Sequence, residues 1–178
     1  TVSTLIASYN IWDLKILSNP IKHVNSGDLL YDRLEDSNSE KLSWKIGKIS
    51  EQFKKVNPSK CLNYYLHVGE IEVDYTSDVG VSKLVLLPIQ HLFLEKFFDE
   101  SEIQDTSIYD MDFLKGYPKE EISNLLNIFL KVNILKENNG WIKLNLQLEE
   151  CTLDLREEYF KVSSLVRELQ KKDNMDLC

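Results

Sequence analysis

Apolar positions recur along this chain at two spacings, and the switches between them divide it into elements. Leu42, Ile46, Ile49, Phe53 and Val56 step by four and three, the spacing of a single stripe on a helix. Ser37-Asn38-Ser39-Glu40, just ahead, has the order of a capping box. Asn57-Pro58 closes the run, because a residue before proline avoids the α region. From Leu62 the spacing becomes two. Leu62, Tyr64, Leu66 and Val68 alternate on even positions; after Gly69 the apolar set moves to Ile71, Val73 and Tyr75. A strand changes phase only by gaining a residue, so Gly69-Glu70 predicts a bulge or a break between strands. Thr76 to Gly80 predicts a turn, and Lys83 to Leu87 the second strand of a hairpin. Val2 to Ala7, β-branched and apolar, predicts a further short strand near the start.

The stretch from Leu84 to Asn145 carries its own order of elements. Pro88 opens a helix where a missing N–H costs little, with Ile89, Leu92, Phe93, Lys96 and Phe97 as its stripe, the Lys96 stem at its margin. Ile103 to Thr106 reads as a loop, and Ile108, Met111 and Leu114 as a short second helix ending at Gly116. Pro118 begins a third helix, whose face is Ile122, Leu125, Leu126, Phe129 and Val132 or Asn133. Asn138-Asn139-Gly140 is a hairpin turn joining Ile134-Leu135-Lys136 to Trp141-Ile142-Lys143-Leu144. A strand, a proline, three short helices and a hairpin is the pattern of a winged helix. Leu146 to Leu153 alternates and extends along the surface. Leu155, Tyr159, Val162, Val166 and Leu169 form a last helical stripe that either folds back or opens a further domain. The expected fold class is α+β. A small β-sheet with helices occupies residues 1–87, a winged helix 88–148, and a linker and helix 149–178. The chain reads as a fragment of something longer.

Charge changes the functional picture more than composition does. The 178 residues carry a net charge of −8. Pro88 to Asn145 alone holds ten Asp/Glu against six Lys, a difference of −4. A shape best known for gripping DNA therefore has the wrong sign for phosphate. The third helix begins Pro118-Lys119-Glu120-Glu121, two carboxylates suited to the helix dipole but repelled by a phosphate backbone. Clustered Lys/Arg for an anionic membrane is also missing, and no apolar run reaches membrane length.

Candidate chemistry is sparse. Cys61, Cys151 and Cys178 show no C-x-x-C spacing, which points to thiols rather than a disulfide framework or zinc site. His23, His67 and His91 lie apart, and each reads as structural, since base or ligand roles need a partner constellation. Trp12, Trp44 and Trp141 read as core or interface residues, with no basic groove around them. No nucleotide, metalloprotease or hydrolase motif occurs, and the six glycines are scattered. No catalytic residue, metal or cofactor is expected.

Some of the same residues carry a family resemblance. Leu62-Asn63-Tyr64-Tyr65-Leu66-His67-Val68-Gly69-Glu70-Ile71-Glu72-Val73 resembles the cullin-homology pattern, an aromatic-bearing strand running through a glycine step into an alternating strand. Val85-Leu86-Leu87-Pro88-Ile89-Gln90-His91-Leu92-Phe93 is similar to the cullin strand, Pro-x-Gln and apolar helix, with Leu87 where Ser or Thr is common. Leu5-Ile6-Ala7-Ser8-Tyr9-Asn10-Ile11-Trp12 resembles the cullin strand ending in an aromatic-Trp pair, here followed by Asp13 instead of Pro. The resemblance spans roughly Val2 to Asn145. Within the cullins it leans toward the divergent cullin-like subunit of the anaphase-promoting complex. The neddylation motif is not matched, and no modified lysine is carried over.

The resemblance implies a non-catalytic scaffold of a cullin-RING-type E3 ubiquitin ligase, present in nucleus and cytoplasm and active in cell division. It would hold a small RING-H2 subunit by strand addition, and through it an E2 ubiquitin-conjugating enzyme, beside other subunits of a large complex. The sheet accepting the RING strand is expected to involve Val2, Thr4, Leu5, Ile6, Trp12, Tyr64, Leu66, Ile71 and Val73. The alternative is a winged-helix nucleic-acid-binding regulatory domain, disfavoured by charge.

Overall fold

The structure, a computed structural model, describes residues 41–59, 66–67 and 70–163, apart from the side chains of residues 43–45. Its secondary structure is mixed α+β. In chain order the elements are α1 (Leu42–Val56), β1 (Ile71–Thr76), β2 (Val81–Leu86), α2 (Pro88–Asp99), β3 (Ile103–Gln104), 3-10 turns at Asp105–Asp110 and Asp112–Leu114, α3 (Lys119–Lys131), β4 (Leu135–Asn138), β5 (Trp141–Leu144), β6 (Thr152–Asp154) and α4 (Arg156–Val162). They make two three-stranded sheets, ordered β1-β2-β6 and β3-β5-β4. The first pairs β1 with β2 antiparallel and β2 with β6 parallel; the second is antiparallel throughout. One apolar core runs between them, from Leu42 on α1 to Tyr159 on α4.

The central element is α2. Ile89, Gln90, Leu92, Phe93, Leu94, Glu95 and Phe97 are all buried, so the helix is covered on more than one side. Pro88 is its first residue, as predicted. Gln90 then makes the start useful. Its Oε1 accepts from the Leu87 N–H at 2.9 Å, and its Nε2 donates to the Leu155 carbonyl at 2.9 Å. One fully buried amide thus satisfies a helix start and ties it to the chain entering α4. Phe93 stacks on Phe129 of α3 with ring centroids 5.8 Å apart, joining the two helices.

α1 spans the predicted stripe, with Leu42 and Ile46 buried and Ile49 and Phe53 half-buried, but Val56 at its end is 78% exposed. The capping box at Ser37 to Glu40 lies outside the described residues. The cap residue, Lys41, makes no side-chain cap bond. Glu95 of α2 accepts the Leu42 N–H instead, and Lys41 pairs with Asp99. A carboxylate from a neighbouring helix therefore meets an orphan donor at the positive end of α1.

Several expectations need correcting. Leu66 and His67, read as strand, form a turn. The Leu66 carbonyl accepts the Ile89 N–H at 2.9 Å, so it serves the first turn of α2 rather than a ladder. Ile103 to Thr106 is not all loop, since Ile103 and Gln104 pair with Ile142 and Trp141. The second helix is two 3-10 turns broken by an extended Met111. Ile108, Met111 and Leu114 fall strictly three apart, which suits three residues per turn better than 3.6. Asn133 is not part of the apolar face of α3. It takes φ 61°, and the Asn133 and Ile134 N–H groups donate to the Leu130 and Phe129 carbonyls at 3.1 and 3.0 Å. That is a Schellman close. The predicted turn at Asn139-Gly140 has φ 51° and 79°, as a two-residue type I′ turn requires. Beyond the hairpin, the alternating segment ends as β6 on β2 instead of only tracking the surface.

Candidate functional site

The β1-β2 hairpin follows from alternation. Tyr75, Ser82, Leu84 and Leu86 are buried, Ile71 and Val73 half-buried, and Glu72, Asp74 and Thr76 exposed. Lys83 N–H and Val85 C=O point to β6, donating to Cys151 at 2.9 Å and accepting from Leu155 at 3.0 Å. Their cross-strand partners are Asp74 and Glu72. In an antiparallel ladder such partners face away from each other, so Asp74 and Glu72 turn their N–H and C=O to the outer side of β1. β1 is the edge of the described sheet, and among the described residues nothing pairs with that side. The result is an open strand edge with two carboxylates on its outward face.

Of the residues expected to receive a partner strand, Val2, Thr4, Leu5, Ile6, Trp12 and Tyr64 lie outside the described residues. Ile71 and Val73 share the inner face of β1 and pack against the core. Leu66 is buried in its turn and lies off the strand.

Behind this sheet lies a buried polar cluster that the sequence did not announce. Glu121, on the first turn of α3, is fully buried. Its Oε2 accepts from the Tyr159 hydroxyl at 3.0 Å and from the Ser163 hydroxyl at 2.8 Å. His67 Nε2 lies 2.8 Å from the Tyr159 oxygen. If that hydroxyl donates to Glu121, the ring must donate through Nε2–H, which leaves Nδ1 as a lone pair. Nδ1 has no hydrogen-bond partner among the described residues. The His67 ring stacks on Tyr117 at 5.6 Å. Burial pushes the His67 pKa down to about 4, against the opposing charge of Glu121. Burial and then Glu121 hold the Tyr159 and Tyr117 hydroxyls well above the usual phenol range. Chemically, the cluster is a latch in which a carboxylate, a phenol and a neutral imidazole fasten α4 and the 66–67 turn to α3. Sequence reasoning gave Glu121 only a helix-dipole role beside Glu120. Its position four before Leu125 and seven before Ile128, on the buried side of α3, was the available signal.

The remaining outward groups sit on α3 and the β4-β5 hairpin. Asn124 Nδ2 donates to the Val162 carbonyl at 3.2 Å, so α4 occupies part of the α3 face. Ser123 bonds the Tyr109 hydroxyl at 2.9 Å. Glu120, Asn127 and Lys131 stay exposed, and Lys131 pairs with Glu158 at 3.4 Å. At the sheet junction, Arg156 reaches both Asp154 at 2.7 Å and Glu70 at 2.6 Å, joining α4 to the entry of β1. These contacts hold the Asp154 carboxyl below its ordinary range. Among the described residues no group of three or more His, Cys, Asp or Glu is arranged to hold a metal ion. None of the described helices is long and apolar enough to cross a membrane.

No protein-family model matches the chain, and no curated protein matches it.

Proposed function

We propose that this chain is a non-catalytic scaffold segment of a multisubunit cullin-RING-type ubiquitin ligase, resembling the cullin-like subunit of the anaphase-promoting complex. It receives a strand of a small RING-H2 subunit and so positions a ubiquitin-charged E2. The observation that carries this reading is the outer edge of β1, which nothing pairs with among the described residues. Strand addition draws affinity from backbone groups, and Glu72 and Asp74 offer theirs in the required direction. An edge left bare is an aggregation hazard, so a dedicated partner strand also answers a stability problem. The order α2, β3, 3-10 turns, α3, β4, β5, with β3 completing a three-stranded sheet, supports a winged helix as the second unit. The buried Gln90 supplies a physical reason for the Pro-x-Gln element of the resemblance.

A nucleic-acid-binding winged helix finds less support. The face of α3 that would enter a groove exposes Glu120 and gives Asn124 to α4.

Co-purification with a RING-H2 subunit, comparing unmutated protein with Asp74→Pro, tests the reading. Proline there removes an N–H from the open side of β1 and leaves the bonds to β2 in place. The expected result is a folded variant, by circular dichroism, that loses the RING subunit. Retention of the subunit by a folded Asp74→Pro chain, or no co-purification by the unmutated protein, overturns strand addition at β1.

A further inference from the structure

The β4-β5 hairpin carries a face that the latch and the β1 edge do not use. On β5, Trp141 and Lys143 point outward while Ile142 is buried. Register sets Lys143 opposite Lys136, and Trp141 between Asn138 on β4 and Gln104 on β3. All of these are exposed, Trp141 by 44%. The outward face of the sheet is thus one large aromatic ring, two ammonium groups directly opposite each other, and two carboxamides. Glu137 opposes Ile142 and belongs to the other face, while the exposed Glu102, two residues before Gln104, flanks this face next to Lys143.

This is an unusual surface for a chain of net charge −8. Like charges directly across a ladder disfavour the hairpin. Among the described residues Lys41, Lys48, Lys55, Lys115, Lys131 and Lys161 make ion pairs, whereas Lys54, Lys83, Lys96 and Lys119 do not. Lys136 and Lys143 make none among the described residues. Sequence inspection saw no basic groove near Trp141, since Lys136 joins it only through the register of the hairpin.

The geometry points to this face as a docking site for a short acidic peptide segment bearing one large apolar side chain. Charge complementarity selects the occupant. Trp141 and Lys143 are two residues apart on one strand face, roughly 7 Å. An extended peptide has the same repeat, so an apolar side chain on Trp141 puts a carboxylate two positions on beside Lys143 and Lys136. The carboxamides of Asn138 and Gln104 can meet its backbone. Nucleic acid offers a similar mix of ring and charge, but a strand of phosphates would run on past two lysines. This proposal is independent of the RING-strand reading.

Fluorescence anisotropy on the full chain tests it, with a panel of fluorescein-labelled short peptides. Each has one Leu, Phe or Trp two positions from an Asp in an acidic run, with lysine-for-acid versions as controls. Saturable binding of acidic peptides alone is expected. Lys136→Glu with Lys143→Glu should weaken it at least about tenfold, and Trp141→Ala about tenfold, while Trp141→Phe retains most of it. Lys54→Glu, the same charge change on α1, should leave it unchanged, and circular dichroism checks that each variant is folded. Absence of saturation by every acidic peptide up to about 1 mM overturns the proposal. So does binding that is indifferent to the double reversal. Tighter binding of an oligothymidylate than of any peptide overturns it in favour of a single-stranded nucleic-acid site.

Discussion

His67 is held neutral by its surroundings, and that has a measurable consequence. In the unfolded chain it titrates near 6.5, and in the fold near 4. Between these values the unfolded state binds more protons, so stability rises with pH across the window and falls as pH drops through it. The contribution is fully present above about pH 6.5 and is progressively lost down to about pH 4. Urea unfolding at pH 7.5 and pH 5 should differ by on the order of 2 kcal/mol from this residue alone. His67→Phe, which can still stack on Tyr117, should flatten the difference, and an equally steep dependence in that variant would remove the assignment. The paired carboxylates Asp154, Glu51 and Glu158 are held below their ordinary ranges, so their losses fall at lower pH and do not mimic the effect.

At the scale of elements, Asn133 closes α3 in the left-handed region, which only glycine and a few polar residues enter cheaply. Asn133→Val should cost about 1–2 kcal/mol in thermal or urea unfolding, while Asn133→Gly should be neutral within about 0.5 kcal/mol. Equal effects of the two would mean that the backbone conformation is not what constrains the site. This residue also shows where the sequence was legible and where it was not. The apolar stripe of α3 could be counted, but Asn133 falls at the next helical position, so periodicity alone ran past the stop. The start of α2 was legible because proline leaves one reading. Local grammar likewise gave the β1-β2 hairpin and the Asn139-Gly140 turn. The strand nature of Ile103-Gln104, the turn at Leu66-His67 and the cap of α1 were not legible, because each is set by a partner distant in sequence. The polar latch was hidden for the same reason. Glu121, Tyr159 and His67 have nothing in common until the chain folds.

The whole molecule depends on β6 and α4 returning to the first sheet. Ser82 Oγ donates to the Glu149 carbonyl across 67 residues, and α4 brings Tyr159 to the latch. A chain ending at residue 148 would strand the outward groups of Lys83 and Val85 and remove buried Leu155 and Tyr159. Such losses exceed about 5 kcal/mol, comparable to a small domain's entire stability. Differential scanning calorimetry should then show no cooperative transition, and a transition near that of the full chain would mean that the return strand is dispensable. The same return determines how the unit from α2 to β5 is mounted. It leaves the first sheet from β2 and re-enters at β6, and those strands are neighbours. A unit on one linker can swivel about it. One carried on two legs, leaving at Leu86 and returning at Thr152 beside Lys83 in the same ladder, resists both twist and tilt. Arg156, gripping Asp154 and Glu70 at the foot of one leg, braces that mount against β1. A ligand at the β1 edge and a ligand on the Trp141 face would therefore be presented at a fixed span and angle, like two sockets on one bracket.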